Sequence, residues 1–132
     1  MSLVSYRSMF LIIDNTEEEK IIFHYSLDNK LVQRIYKTSK TGRLLVCLDK
    51  LLSHLKLKLK DIKQLGVVVG AGRFTSTRLA VTAANTLAYS LKIPVVALPK
   101  NFTKDSVFKM AKIGTLGQYV IPAYSGEPRI GS

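Results

Sequence analysis

Between residues 65 and 98, a short apolar run, a glycine-containing turn, a long helical pattern and a second apolar run follow one another. The first run, 65–70, has the length and the continuous apolar character of a strand buried in a parallel sheet. Residues 76–91 form the helical pattern, with Ser76 as the expected N-cap, and residues 94–98 form the second strand. Strands and helices that alternate in this way predict a sheet with helices packed on it.

The residues before this unit predict three more strands. The apolar run at 8–14 is typical of a buried strand. Residues 20–27 and 30–38 are rich in β-branched and aromatic side chains, and the Asp-Asn pair at 28–29 is a turn signal between them. We therefore expect a β-hairpin in this part of the chain.

A second helix is predicted at 43–56, where leucines recur at helical spacing, and Asp61 is expected to cap a short turn after it. Residues 103–113 favour a third helix and residues 118–122 a last strand. The complete order of elements is β-β-β-α-β-α-β-α-β. It predicts an α/β fold with a mixed sheet and packed helices, as in the ribonuclease H-like or actin-like (ASKHA) architecture.

The charge of the chain is strongly positive. Twenty Lys and Arg residues face nine Asp and Glu residues, which gives a formal net charge of +11. Such a surface attracts polyanions, and contacts with phosphates would supply affinity for nucleic acid. A solvated surface or an acidic protein partner explains the same charge, because the basic residues are spread along the chain and specify no groove.

The length of 132 residues indicates one domain. Cys47 is the single cysteine, which excludes an internal disulfide and fits a reducing compartment. The sequence contains no apolar stretch of about 18 residues, and its first residues lack the layout of a signal peptide. These features predict a cytoplasmic protein that does not cross a membrane.

Residues 59–98 resemble the TsaB (YeaZ) family. That family has a strand, a turn of the form G-x-G-P-G-S-F-T-G-L-R, a helix and a strand that begins I-P-V-V. The first strand with its aspartate, at 10–16, and the tail at 121–130 also resemble family segments. The turn departs from the pattern at Ala71 and Arg73, where the family has proline and serine. The residues that match the turn are Gly70, Gly72, Phe74, Thr75 and Arg78.

The resemblance implies a chain reduced to the first lobe of the family, because full-length members have a second α/β lobe after the strand that matches 94–98. Residues 1–132 would form this single lobe, with the C-terminal strand and tail attached by one helix at about 101–132. The resemblance further implies a non-catalytic scaffold subunit of the complex that makes threonylcarbamoyladenosine in tRNA. Such a subunit stabilises a catalytic TsaD-type subunit and carries no cofactor or metal of its own.

Both predicted helices have more apolar surface than one sheet can bury, since apolar residues extend well beyond a single stripe. The resemblance implies that these helices bind the TsaD-type subunit or, in its absence, a second copy of the chain. The alternative is that residues 103–113 cover this surface within one molecule. The residues predicted to form the interface are Leu45, Val46, Leu52, Leu79, Ala80, Ala83, Ala84 and Leu87.

Other readings of the motifs are weaker. Asp14 occupies the place of a first metal ligand in a nuclease of this fold, but it lacks convincing carboxylate partners and is expected to close a turn. The glycine turn lacks the third glycine of a dinucleotide fingerprint. Arg78 fits contact with a phosphate, a partner carboxylate or the carbonyls of the turn. His24 and His54 have no metal-like spacing and are interpreted as structural or surface residues.

Two rival functions follow from these observations. The first is a stand-alone nucleic-acid-binding domain that uses the basic surface, and that surface is also expected to help hold tRNA in a scaffold. The second is an enzyme relic with residual nucleotide affinity. One lobe cannot close the two-lobed cleft of an actin-like ATPase, so we do not expect catalysis.

Overall fold

A computed structural model describes the strands, both central helices and the start of the C-terminal region. Most of the helix predicted at 103–113, the strand predicted at 118–122, and the turn residues Gly70 and Gly72 lie outside the described residues, so these remain predictions. The described residues are 9–17, 19–27, 30–38, 43–69, 74–105 and 107.

Five strands and two α-helices follow one another along the chain. Strand order in the single sheet is β3-β2-β1-β4-β5, with β2 antiparallel to both neighbours and β1, β4 and β5 parallel. This confirms the predicted mixed α/β sheet. The elements are β1 (Met9–Asp14), β2 (Lys20–Leu27), β3 (Lys30–Lys37), α1 (Leu44–Leu55), a 3-10 turn (Leu59–Asp61), β4 (Ile62–Val69), α2 (Phe74–Leu91) and β5 (Val95–Pro99).

The hairpin and the helix at 43–56 are confirmed, whereas two boundaries differ from prediction by more than one residue. Strand β4 begins at Ile62, three residues early, because Met9 of β1 pairs with Ile62. The N-cap prediction for Ser76 was wrong. An N-cap residue has a non-helical backbone, whereas Ser76 lies within α2, which begins at Phe74.

The sheet has two buried faces, because successive side chains of a strand point to opposite sides. Helices α1 and α2 cover one face, where the larger cluster includes Leu11, Ile13, Phe23, Leu51, Leu65, Val67, Ala80, Ala84 and Ala88. The opposite face carries a smaller cluster formed by Phe10, Ile12, Val68, Leu98 and Val107.

Both helices end in a lysine with left-handed backbone geometry. Lys56 follows α1 with φ of 59° and Lys92 follows α2 with φ of 57°. The next amide in each case returns to the helix, from Leu57 to the carbonyl of Leu52 at 2.9 Å and from Ile93 to the carbonyl of Ala88 at 3.0 Å. These bonds satisfy carbonyls that the helix leaves without a partner and turn the chain into β4 and β5.

Gly66 lies in the middle of β4, on the face opposite the helices, where neighbouring side chains leave no room for a Cβ atom. An added Cβ would lie 2.9 Å from Leu98 Cδ1, 3.1 Å from Phe10 Cε1 and 3.2 Å from Ile12 Cγ1. All three neighbours are buried, so they have little freedom to move away. Glycine at this position allows β1, β4 and β5 to pack their second face closely.

We predict that Gly66→Val lowers the free energy of unfolding by about 1–2 kcal/mol. Overpacking costs about 1–3 kcal/mol, and the better strand propensity of valine returns up to about 1 kcal/mol of it. Urea denaturation measures the change. Lys63→Ala, an exposed substitution in the same strand, is the control and should shift stability by less than about 0.5 kcal/mol. Equal stabilities of Gly66→Val and wild type would contradict this account of the packing.

Candidate functional site

An apolar groove lies between α1 and α2 on the outer side of the helix layer. Its volume is about 300 Å³. The first turn of α1 forms one wall and the middle of α2 forms the other. We call this feature the helix groove. Its lining residues are Leu44, Leu45, Leu79, Thr82, Ala83, Thr86 and Leu87.

Large apolar side chains at the helix groove are open to solvent. Leu45 is 58% exposed and Leu79 is 38% exposed. Val46, next to Leu45 on α1, is 44% exposed. On α2, Leu79, Ala83 and Leu87 are spaced by four residues and therefore lie along one side of the helix. The helix groove thus presents exposed apolar side chains of both helices, which is typical of an interaction site.

The structure divides the residues predicted for the interface. Leu45, Leu79, Ala83 and Leu87 line the helix groove and are exposed or half-buried, whereas Val46 is exposed on α1 but is not among the lining residues. Leu52, Ala80 and Ala84 are instead buried in the core of the chain itself, so they cannot contact a partner directly. The small side chains allow α2 to approach the sheet closely, and they do not form the outward surface that the sequence analysis assigned to them.

The carboxyl end of β1 is closed by an ordered turn. Asp14 is 3% exposed. One oxygen, Oδ1, accepts hydrogen bonds from the Thr16 amide at 3.0 Å and the Thr16 hydroxyl at 2.6 Å. The other oxygen, Oδ2, accepts a hydrogen bond from Lys100 Nζ at 2.8 Å. These contacts confirm that Asp14 closes a turn.

Lys100 links this turn to the end of β5. It lies 2.8 Å from Glu17 Oε2 as well as from Asp14 Oδ2, and Lys20 pairs with Glu17 Oε1 at 3.1 Å. Since β4 lies between β1 and β5, the ion pair spans the carboxyl end of β4. Two ammonium groups thus pair with two carboxylates of the segment that follows β1.

The ion pairs shift the pKa values of both partners toward the charged forms. Hydrogen bonds from Lys100 and Lys20 lower the pKa of Glu17, and the positive charges lower it further. Burial lowers the pKa of Lys100, but hydrogen bonds and attraction to Asp14 and Glu17 outweigh burial and raise that pKa above its ordinary value. Sequence analysis missed this role of Lys100. The sequence signal for this ion pair was that Lys100 directly follows β5, a strand parallel to β1, so that the carboxyl ends of the two strands lie at the same end of the sheet.

Of the remaining candidate residues, His24 and Cys47 pack within the fold, whereas Gly70 and Gly72 lie outside the described ranges. His24 is half-buried, with its ring edge-on to Phe102 at 4.9 Å between centroids. Cys47 is buried in the core, and burial raises the pKa of its thiol. Phe74 and Thr75 lie in the first turn of α2, and Arg78 is exposed on that helix. The described residues contain no group of three or more His, Cys, Asp or Glu side chains placed to hold a metal ion.

Comparison with known proteins places these features in a family. A family model described as TsaD, tRNA N6-adenosine threonylcarbamoyltransferase, matches residues 34–100. The tRNA threonylcarbamoyladenosine biosynthesis protein TsaB from Buchnera aphidicola subsp. Acyrthosiphon pisum (strain APS) is 34% identical over 62 residues, which are 47% of this chain and 28% of that protein. TsaB from Buchnera aphidicola subsp. Schizaphis graminum (strain Sg) matches at the same identity and length, over 30% of its own chain.

The fold has solved relatives. YeaZ from Pseudomonas aeruginosa superposes with a TM-score of 0.62 and 24% sequence identity, over 70% of this chain and 45% of that one. This similarity establishes the shared fold. The chain spans less than a third of the length of the curated TsaB proteins that it matches. Among the described residues, no helix has the length and apolar character needed to cross a membrane.

We predict that Lys100→Met lowers the free energy of unfolding by about 1–3 kcal/mol at neutral pH. The substitution leaves the buried Asp14 carboxylate without its cation, but the loss is smaller than for a fully buried pair because Lys100 is partly exposed. Lys104→Met, an exposed neighbour, is the control and should change stability by less than about 0.5 kcal/mol. Chemical denaturation of both variants measures the difference.

The pH dependence provides a second check on the Lys100 ion pairs. The folded pKa of Lys100 is raised, so its contribution is complete below the ordinary value of 10.5 and is lost as the pH rises through the folded pKa. The folded pKa of Glu17 is lowered, so its contribution is complete above 4.5 and is lost as the pH falls through the folded pKa. The stability difference between wild type and Lys100→Met should therefore be largest between these limits, and a difference independent of pH would contradict the assignment.

We predict that His24 makes the protein less stable below pH 6.5. Burial lowers the pKa of His24. The negative charge of Asp14 opposes this shift, and the positive charge of Lys100 adds to it. As the pH falls, the unfolded chain therefore takes up a proton on His24 before the folded chain does. Stability should fall as the pH drops from 6.5 toward the folded pKa, by at most about 1.4 kcal/mol per pH unit. His24→Phe should flatten this slope, whereas His54→Gln, an exposed control, should retain it. Denaturation curves at pH 7.5 and 5.5 decide between these outcomes.

Proposed function

This chain belongs to the TsaD family of tRNA N6-adenosine threonylcarbamoyltransferases, in its TsaB (YeaZ) group, and from that premise we propose that it is a scaffold subunit in tRNA threonylcarbamoyladenosine biosynthesis. Its task is to bind and stabilise a TsaD-type catalytic subunit. The observation that carries this proposal is the helix groove with its exposed leucines. A further part of the proposal is that residues 1–132 correspond to the first lobe of the family.

The helix groove suits a protein partner because its apolar side chains form a surface with few charges. Leu45 and Leu79 stand at the groove, one on each helix, where a partner helix could pack against both. Side chains at the centre of an interface, where the partner excludes water, contribute more to binding than side chains at its periphery. Shape and apolar character therefore favour a helix of another protein as the occupant.

The path of the chain after β5 argues against a cover from within the molecule. Phe102 and Val107 pack with Phe10 and Leu98, on the sheet face opposite α1 and α2. The chain thus enters its C-terminal region on the side away from the helix groove. This arrangement supports a separate partner over the alternative that residues 103–113 fill the groove.

The closed carboxyl end of the sheet supports a non-catalytic role without a cofactor. Both oxygens of Asp14 accept hydrogen bonds from Thr16 or Lys100. An actin-like site would need that carboxylate free to act through a metal ion or a water molecule. We propose that the reaction takes place on the TsaD-type subunit and that the chain contributes binding energy alone.

We predict that the double variant Leu45→Glu/Leu79→Glu weakens association with a TsaD-type protein at least about 100-fold. Two carboxylates would be buried without partners, and truncation of central apolar anchors typically costs about 2 kcal/mol or more each. Light scattering after size exclusion measures the mass of the mixture, and titration calorimetry measures the affinity.

Val32→Glu/Ile35→Glu is the matched control, because both residues are exposed apolar side chains on β3, away from the helix groove. The control should bind the partner like wild type. A wild-type chain that never changes the mass of the TsaD-type protein would refute the proposal. A wild-type dimer that persists in the presence of that protein would assign the helix groove to a second copy instead.

A further inference from the structure

Six exposed lysines lie along one end of the sheet, the end at which the parallel strands β1, β4 and β5 begin. We call this feature the lysine rim. It lies at the end of the molecule opposite Asp14 and Lys100. Its residues are Lys30, Lys56, Lys58, Lys60, Lys63 and Lys92.

Strand register places these lysines together although they are far apart in sequence. Lys63 is the second residue of β4, and the 3-10 turn with Lys60 directly precedes that strand. The Leu65 amide donates to the Pro94 carbonyl at 3.0 Å, which holds the turn after Lys92 against β4.

The other side of the rim is fixed by the hairpin. Lys30 is the first residue of β3 and pairs with Leu27, the last residue of β2. The Phe10 amide donates to Ser26 Oγ at 3.2 Å, which places this end of the hairpin beside the start of β1.

The acidic groups among the described residues do little to neutralise the lysine rim. Asp61 is the one carboxylate that the described part of the chain places at this end. Its Oδ2 accepts a hydrogen bond from the Lys58 amide at 2.8 Å, so the carboxylate is directed at the backbone of the 3-10 turn. Asp14 and Glu17, which do pair with lysines, lie at the opposite end. The lysine rim therefore presents a surplus of positive charge.

Helix geometry accounts for only part of this pattern. Lys56 and Lys92 follow the C-termini of α1 and α2, where cations offset the negative end of the helix dipole. Both occupy left-handed positions that favour glycine or asparagine. The dipoles of α1 and α2 do not explain the lysines at 30, 58, 60 and 63, because these residues do not directly follow either helix. Four of the six charges thus have no structural role that the described contacts reveal.

We propose that the lysine rim binds the phosphate backbone of RNA. The rim crosses five strands, and four gaps of about 4.8 Å make it roughly 19 Å wide, which exceeds a single phosphate group and suits a polyanion. Lysines contact phosphates as point charges and thereby position a nucleic acid without reading its sequence. The choice of RNA as the ligand rests on the proposed role in tRNA modification. The location of the binding surface rests on the strand register and on the positions of the exposed lysines.

Tyr89 adds a contact that phosphate binding alone would not require. It is 72% exposed and lies three residues before Lys92, in the last turn of α2. An exposed aromatic ring beside a basic surface can stack on an unpaired base. Apolar anchors for a membrane are scarce at this end, since Leu59 and Val32 are the large aliphatic side chains that the described residues expose near it.

The lysine rim and the helix groove can be occupied at the same time. The groove is lined by the first turn of α1 and the middle of α2, whereas the rim includes the residues that follow both helices. A partner in the groove would leave the lysines accessible. The two surfaces can therefore be tested independently.

The experiment measures binding of a fluorescently labelled, unmodified tRNA transcript to the purified chain, by anisotropy at several salt concentrations. We expect Lys58→Gln/Lys60→Gln/Lys63→Gln to weaken binding roughly tenfold or more, and to reduce the slope of log K against log salt by about 2–3, because three phosphate contacts are lost. The matched control is Lys37→Gln/Lys50→Gln/Lys104→Gln, which removes the same charge from exposed positions elsewhere. It should change affinity less than about twofold if phosphates contact the rim.

Further variants separate phosphate binding from stacking and from loss of fold. Replacing the same three lysines by arginine should retain binding, and thermal unfolding followed by circular dichroism should match wild type. Tyr89→Ala should weaken binding several-fold with an unchanged salt slope, because it removes a ring and no charge. Tyr89→Phe should bind like wild type.

Equal losses in the two lysine triples would overturn the proposal, because diffuse charge would then account for the affinity. It would also be overturned if wild type failed to bind RNA at 50 mM salt, or if it bound vesicles with 30% phosphatidylserine but not RNA. The rim triple should still associate with a TsaD-type protein. If the wild-type chain binds RNA but does not associate with a TsaD-type protein, the scaffold role is refuted and the proposed RNA-binding surface still stands.

Discussion

Helix α2 can bury only one side against the sheet, and its alanines occupy that side. Ala80, Ala84 and Ala88 are almost completely buried, and their small side chains bring the helix close to β4. The residues one position earlier, Leu79, Ala83 and Leu87, then face the helix groove. Helix α2 thus carries two parallel apolar stripes that lie in different environments. One completes the core, and the other, together with Leu45 of α1, leaves an apolar surface that the described residues of the chain do not cover.

The two ends of the sheet have opposite electrostatic character. At the carboxyl end, Lys100 pairs with Asp14 and Glu17, which holds the turn after β1 in place. At the amino end, the lysine rim carries six cations, and the described residues place a single carboxylate, Asp61, among them. A fold of this kind usually places ligands at the carboxyl ends of its strands. Here the Asp14 carboxylate at that end is engaged by Thr16 and Lys100, and the two surfaces that the described residues leave open to other molecules and that we assign to partners are the helix groove and the lysine rim.

Much of the fold could be predicted from sequence, because its signals are local. The Asp-Asn pair at 28–29 indicated the hairpin, and the apolar runs at 65–70 and 94–98 indicated the parallel strands. The orientation of α2 could not be predicted, since both of its apolar stripes repeat every four residues and differ only by a one-residue offset. The bond between Lys100 and Asp14 joins residues 86 positions apart and depends on the strand order. Composition likewise showed the excess of lysine but not its location, which the register of β1, β3 and β4 determines.

The central claim is that the outward stripe of α2, with the start of α1, is where a TsaD-type subunit binds. Hydrogen–deuterium exchange of the chain, alone and with that subunit, tests this claim most directly. We expect slower exchange in residues 44–48 and 79–87 upon complex formation, with the β2–β3 hairpin unchanged. Protection confined to the hairpin or to the lysine rim, with the two helices unaffected, would contradict it.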